Sequence, residues 1–300
     1  MGCWQFGGSF GFWENQDRSD SIKLLHYALR SGIRHFDTAQ GYGNGESEQF
    51  TGQQLKRFSK SIGREELTLA TKILAKNGPM VRKDVETSLR RLCTDYIDIL
   101  YLHWPSSTVS IPPVLDALAE LAETDLVRSI GVSNFPLALL RSYGDYPIKY
   151  LQMPCNLLWI HDIQETQRYC KEHSIQTVGY SPLGLGILNG NHALAPEDGR
   201  KNLYCYSQQS YGAFKALYGS LEDLSGKKQC SIAQISLAWA FAQGFDHLLL
   251  GARTKFQLQQ NIASKDINLS AFQLQELTKL AQELALSVPK SQDNIFNHRW

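Results

Sequence analysis

Short apolar runs alternate along this chain with stretches in which apolar residues recur every three or four positions. The runs read as strands at 2–8 (GCWQFGG), 33–38 (IRHFDT), 67–73 (LTLATKI), 97–103 (IDILYLH), 128–133 (RSIGVS), 149–154 (KYLQMP), 176–181 (QTVGYS) and 246–251 (DHLLLG). Between them the spacing predicts helices over 21–31, 81–92, 114–123, 137–143, 163–173 and 232–243. In VRKDVETSLRRL, for example, Val81, Val85, Leu89 and Leu92 share one helix face. Strands alternating with helices predict an α/β fold with a mainly parallel, helix-covered sheet. Eight such units in 300 residues predict one (β/α)8 barrel domain over 1–300. One connection breaks the rhythm. Residues 183–226 include SPLGLGILNGNHALAPEDGR and read as a long, turn-rich loop folded over the barrel mouth.

Composition narrows the class without naming a chemistry. Hydrophobic residues make up 43% and charged residues 20%, ordinary for a globular chain. A net charge of +1 argues against nucleic acid or an anionic membrane as the main partner. Gln residues interrupt the longest apolar stretch, around Ile235 to Phe241, so no membrane span is predicted. No basic-then-apolar leader opens the chain, and Phe6 stands where a myristoylation signal needs Ser or Thr. The six cysteines are scattered, with no C-x-x-C pair and no His at metal spacing. Reduced thiols, a cytoplasmic location, no metal, and a monomer or small homo-oligomer are the expectations.

Candidate chemistry lies at the strand ends, where barrel active sites form. Each apolar run closes on a polar or ionisable residue: Asp37, Lys72, His103, Ser133 with Asn134, Gln152, then Tyr180 with Ser181. Side-chain alternation lets Asp37, Lys72 and His103 all face inward. Taken singly, such an Asp is commonly a turn former and such a Lys commonly solvated. Tyr42 lies in the Gly-rich turn after Asp37, yet that turn lacks the G-x-G-x-x-G dinucleotide fingerprint.

The segments FDTAQGYGNGESE (36–48), LATKI (69–73), SLRRLCTDYIDILYLHWP (88–105), IGVSNF (130–135), LQMPCNLL (151–158), GYSPLGLGIL (179–188), PEDGR (196–200) and LGARTKFQLQQN (250–261) resemble, in order and spacing, the aldo-keto reductases. These are NADPH-dependent carbonyl reductases on a (β/α)8 barrel. The resemblance implies a catalytic tetrad at Asp37, Tyr42, Lys72 and His103. It also implies that Tyr180 stacks on the nicotinamide, and that Ser133, Asn134 and Gln152 bind its carboxamide. Ser181, Leu183 and Gly184 would lie along the pyrophosphate. Arg253 and Lys255 would meet the 2′-phosphate, with Gln257 and Asn261 towards the adenine, and Gly251 and Gln260 are further expected cofactor contacts. The chain departs from the family pattern in three places. Asp125 and Leu126 replace a common Gly-Lys pair, Cys155 replaces a common Tyr, and the chain starts on its first strand without the usual bottom hairpin.

The chemistry implied is hydride transfer to a carbonyl carbon with Tyr42 as proton donor. Lys72 is expected to acidify the phenol, and Asp37 to hold the lysine charged. His103 would orient the carbonyl oxygen. NADPH is the expected cofactor and a small carbonyl compound the expected substrate. Trp4 and Trp104, with Phe10 and Trp300, are the candidate pocket walls. Two other readings remain open here: an NADPH-binding regulatory or channel-type subunit, and an unrelated hydrolase barrel using Asp37 and His103.

Overall fold

The computed structural model describes residues 1–7, 16–76, 78–160, 163–190, 195, 197 and 199–288. Phe10, Trp300 and part of the expected mouth loop lie outside the described residues. Among the described residues, seven parallel strands follow one another around the sheet in chain order. They are β1 (His35–Asp37), β2 (Thr68–Ile73), β3 (Ile99–Leu102), β4 (Ile130–Ser133), β5 (Ile148–Pro154), β6 (Gln176–Tyr180) and β7 (His247–Leu248). The eighth expected strand, 2–8, is cut to one bridge. Cys3 N donates to Asp37 O, Asp37 N to Met1 O, and Gly2 N to Leu250 O. Residues 1–3 thereby join β1 to the segment after β7 and close the ring. The chain then leaves the sheet in a 3-10 turn, Trp4–Phe6, which carries Trp4 towards the mouth.

Ten helices occur among the described residues: α1 (Arg18–Arg30), α2 (Glu46–Ile62), α3 (Gly78–Leu92), α4 (Pro112–Ala122), α5 (Leu137–Ser142), α6 (Ile163–Glu172), α7 (Tyr211–Lys228), α8 (Ile232–Phe241), α9 (Lys255–Ala263) and α10 (Ala271–Ser287). The predicted face of α3 is the buried one, with Val81, Val85, Leu89 and Leu92 inside. α8 starts from a capping box of Ser231 and Gln234.

The reading of 183–226 as loop throughout is corrected, because Tyr211–Lys228 is helical. Gly212, Gly219 and Gly226 recur every seven residues, and a Cβ at each would meet open space. Each glycine costs about 1 kcal/mol of helix propensity. The opposite face buries Phe214, Leu217, Tyr218, Leu221 and Leu224, which outweighs that cost. α2 was hidden for a related reason. Its Gly52 lies against the Leu92 backbone, where a Cβ would come within 2.3 Å of Leu92 O.

The strands have two different faces. Phe36, Leu69, Leu100, Ile130, Val132 and Leu151 join the main apolar core beneath the helices. Ala70, Ile99 and Tyr101, with Tyr150 against them, form a separate small cluster inside the barrel. Gly131 makes room for it, since a Cβ there would sit 2.6 Å from the Tyr101 ring. Tyr101 and Tyr150 meet edge to face at 6.4 Å. This aromatic layer is the floor on which the next inward layer, Asp37, Lys72, Ser133 and Gln152, rests.

Candidate active site

Register alignment delivers the charged residues to one level. Asp37 pairs with Ala70, Lys72 with Tyr101, and Ser133 with Gln152 in the strand ladder. Lys72 is 1% exposed, and its ammonium donates to Asp37 Oδ1 at 2.5 Å and to Thr38 O at 2.8 Å. It also reaches Tyr42 Oη at 3.4 Å. Gln152 Nε2 donates to the other Asp37 oxygen at 2.8 Å. A buried ion pair is retained only when its remaining lone pairs are met, and here both carboxylate oxygens are.

Tyr42 is partly exposed at the mouth, where the tight turn Tyr42–Gly45 projects it. Its ring stacks on Trp4 at 5.5 Å and meets the His103 ring edge to face at 5.8 Å. His103 in turn lies 6.3 Å from the Trp104 ring. The four residues expected to act together therefore converge, with both candidate pocket tryptophans beside them.

The proton balance differs from the expectation in one respect. Burial presses the Lys72 ammonium towards losing its proton, but Asp37 and Tyr42 together outweigh burial and the net direction is upward. Burial also pushes the Tyr42 phenol up, and this exceeds the downward pull of Lys72. Lys72 thus offsets part of the desolvation of the phenolate without bringing the phenol below its ordinary value. In this site Tyr42 keeps its proton.

Asn134 organises the adjoining rim. Its backbone is left-handed, with φ of 63°, a conformation that Asn tolerates. Its amide donates to His103 O and to Ser133 Oγ, both at 3.0 Å, and Tyr180 Oη donates to Asn134 Oδ1 at 2.6 Å. Trp159 meets the Tyr180 ring edge to face at 6.3 Å. Beyond Tyr180 the backbone turns through left-handed Ser181, Gly184, Leu185 and Gly186, and Arg200 donates to Leu185 O at 3.2 Å.

A family model described as the Aldo/keto reductase family matches residues 1–282. The chain belongs to the aldo/keto reductase family. Over 294 residues this aldo/keto reductase is 32% identical to Probable aldo-keto reductase 1 of Glycine max, covering 92% of this chain and 83% of that protein. It is 28% identical over 311 residues to the NADH-specific methylglyoxal reductase of Escherichia coli strain K12, covering 95% and 94%. The glycerol dehydrogenase AKR11B4 of Gluconobacter oxydans superposes with a TM-score of 0.80 at 25% identity, covering 94% of this chain and 90% of that one. The parallel, curled sheet is thus that of a (β/α)8 barrel, and the family's reaction is NAD(P)H-dependent carbonyl reduction.

In this reductase several of the residues expected to hold the rest of the cofactor bond to one another. Gln16 and Arg253 bond reciprocally: Arg253 Nε donates to Gln16 Oε1, and Gln16 Nε2 donates to Arg253 O, each at 2.9 Å. Gln257 Oε1 accepts from Arg253 N at 2.7 Å. Lys255 lies over the Tyr27 ring, 5.2 Å from its centroid. Asn261 is buried and donates to Gly251 O at 3.0 Å, bracing the turn from inside. Gln260 gives its backbone oxygen to Ser264 Oγ at 3.0 Å. Gly251 is exposed, while Gly184 is buried and Leu183 half-buried on the turn after Tyr180.

Sequence reasoning missed Gln16, Trp159 and Arg200. Trp159 follows the matched LQMPCNLL segment and was legible as an aromatic just past a strand end. Gln16 gave no local signal, because its partner lies 237 positions away. Among the described residues no group of three or more His, Cys, Asp or Glu could hold a metal, and no helix is long and apolar enough to cross a membrane.

Proposed function

We propose that this protein reduces a small aldehyde or ketone to the alcohol with NADPH, and that Tyr42 is the general acid. The observation that carries this reading is the buried Asp37–Lys72 pair with its free face on Tyr42 Oη at 3.4 Å. The same residues fit a nicotinamide. The Asn134 and Gln152 amides and Ser133 Oγ are polar groups held at the strand ends, and the Tyr180 ring is a half-buried platform beside them.

When bound, the reduced nicotinamide supplies a hydride to the carbonyl carbon. Tyr42 gives its proton to the carbonyl oxygen as the alkoxide develops, and the phenolate that remains faces the Lys72 ammonium. Asp37 keeps that ammonium charged, and Gln152 occupies the second Asp37 oxygen. His103, edge-on to Tyr42, would donate to the same carbonyl oxygen and fix its direction. Trp4 and Trp104 flank these rings and would present an apolar wall that excludes water. Arg253 is the residue we assign to the 2′-phosphate, since Gln16 holds its guanidinium in place and Arg suits a bidentate anion.

The test is NADPH oxidation by the purified protein against a panel of aldehydes, ketones and sugars, with Tyr42→Phe beside it. Turnover that falls about 100-fold or more in the variant, with NADPH binding retained, is expected for loss of a general acid. Tight NADPH binding with no turnover by the wild-type chain would overturn the reading in favour of a cofactor-binding regulatory subunit.

A further inference from the structure

Tyr42 stands on a tight turn held between two neighbouring segments. Gly43, Asn44 and Gly45 have φ of 59°, 52° and 97°, three successive left-handed residues directly after the phenol. Gly and Asn adopt this backbone at little cost, so the place of the turn is set by what packs against it. One support is the N-terminal segment: a Cβ on Gly43 would stand 2.3 Å from Gly7 O, and one on Gly7 2.5 Å from Tyr42 O. The other comes from α3. The Arg91 guanidinium lies flat against Gly45, so that a Cβ there would stand 2.3 Å from Arg91 Cζ.

Arg91 is itself fixed by a carboxylate. Its Nη1 donates to Glu48 Oε2 at 3.2 Å. Glu48, in the first turn of α2, is 0% exposed, and its other oxygen accepts from Thr71 Oγ1 at 2.7 Å. Thr71 precedes Lys72 on β2. A continuous set of contacts therefore runs from the strand that carries the lysine, through Glu48 and Arg91, to the turn that carries the phenol. Exposed ion pairs contribute little, but a fully buried carboxylate needs its cation and sets where that cation sits.

We propose that Arg91, anchored by Glu48, is a positioning residue for the proton donor: pressed on Gly45, it sets the reach of the Tyr42 hydroxyl to the Lys72 ammonium. This rests on the reading of Tyr42 as general acid. The 3.4 Å separation of those two groups lies at the long limit of a hydrogen bond, so a small outward shift of the turn breaks it.

The experiment compares wild type, Arg91→Ala and Arg91→Lys with a carbonyl compound that the wild type reduces. In Arg91→Ala kcat is expected to fall about ten- to a hundredfold, as for an ångström-scale misplacement. KM for the carbonyl, and Kd for NADPH from protein fluorescence, stay within about twofold, because the binding rim is untouched. Added guanidinium at millimolar concentration restores part of kcat, while sodium chloride at equal ionic strength does not. Arg91→Lys recovers less than guanidinium does, since an ammonium cannot lie flat on Gly45 and still reach Glu48. Should Arg91→Ala fail to fold, Gly45→Ala disturbs the same contact from the other side and is expected to lower kcat with KM and Kd preserved.

Wild-type kcat in both Arg91→Ala and Gly45→Ala overturns the proposal. So does a kcat loss matched by equal weakening of NADPH and a guanidinium response no different from salt, which marks general structural support. Absence of turnover by the wild-type chain itself is a separate result: it overturns the reductase reading and this role with it.

Discussion

Replacing Asp37 by Asn keeps the shape of the site and removes one charge. Lys72 is 1% exposed and Asp37 3%, and their charged atoms are 2.5 Å apart. At an effective dielectric of about 20, two unit charges at that separation attract by roughly 6–7 kcal/mol. Breaking a buried pair by removing one partner typically costs about 3–5 kcal/mol. That loss falls on the charged state of Lys72, whose proton is held in wild type by Asp37 and Tyr42 against burial. With Asp37 neutral, burial has only Tyr42 to oppose it, and the ammonium is expected to lose its proton more readily. An uncharged amine no longer stabilises the phenolate that proton transfer creates, so kcat near pH 8 is expected to fall about 100-fold or more. The sign of the pH dependence follows. A lysine pushed down is protonated only at lower pH, so Asp37→Asn activity should rise as pH falls, whereas wild type stays flat there. The assay is kcat at saturating NADPH and carbonyl over pH 5 to 9, with urea unfolding in parallel. An Asp37→Asn enzyme with the wild-type kcat and a flat profile would refute this account of the charge relation.

In wild type the part of the stability and of the reduction rate that rests on Lys72 and Tyr42 should be lost in alkali. Lys72 is raised above 10.5 and Tyr42 above 10.0, so their contribution is complete below those ordinary values and is lost as pH rises through the folded ones; a pH–rate profile with a parallel melting series checks this. Arg253→Ala should weaken NADPH by about tenfold to a hundredfold and leave NADH nearly unchanged, measured as Kd for each cofactor, since a lost charge-assisted hydrogen bond is worth about 1.5–3 kcal/mol. Gly131→Ala should destabilise the barrel by about 1–3 kcal/mol, because the methyl would stand 2.6 Å from the Tyr101 ring in a packed interior; chemical denaturation reads it directly.

Much of the site was legible because barrels place polar residues where apolar runs stop. Asp37, Lys72, Ser133 and Gln152 were each visible as a polar break at a strand end, and register then set them at one level. Other features depended on partners far along the chain. The eighth strand looked like an apolar run, yet only residues 1–3 pair with β1, and Trp4 leaves the sheet to stack on Tyr42. α7 was obscured by glycines on its solvent side, and α2 by a glycine that allows close approach to α3. In both helices local propensity pointed away from a structure that tertiary burial selected.

The sequence by itself determined the alternation of strands and helices, the family resemblance and the identity of the ionisable residues at the mouth. It did so because those features are local: a strand of four buried residues such as Ile99–Leu102 is written in four consecutive letters. Tertiary structure decided what those residues are to one another. Gln152 meets Asp37 across 115 positions, Gln16 meets Arg253 across 237, and Arg91 meets Glu48 across 43. It also decided the protonation of Tyr42, where burial outweighs the nearby ammonium. Desolvation and Coulomb interaction depend on distance in space, and separation along the chain does not encode that distance.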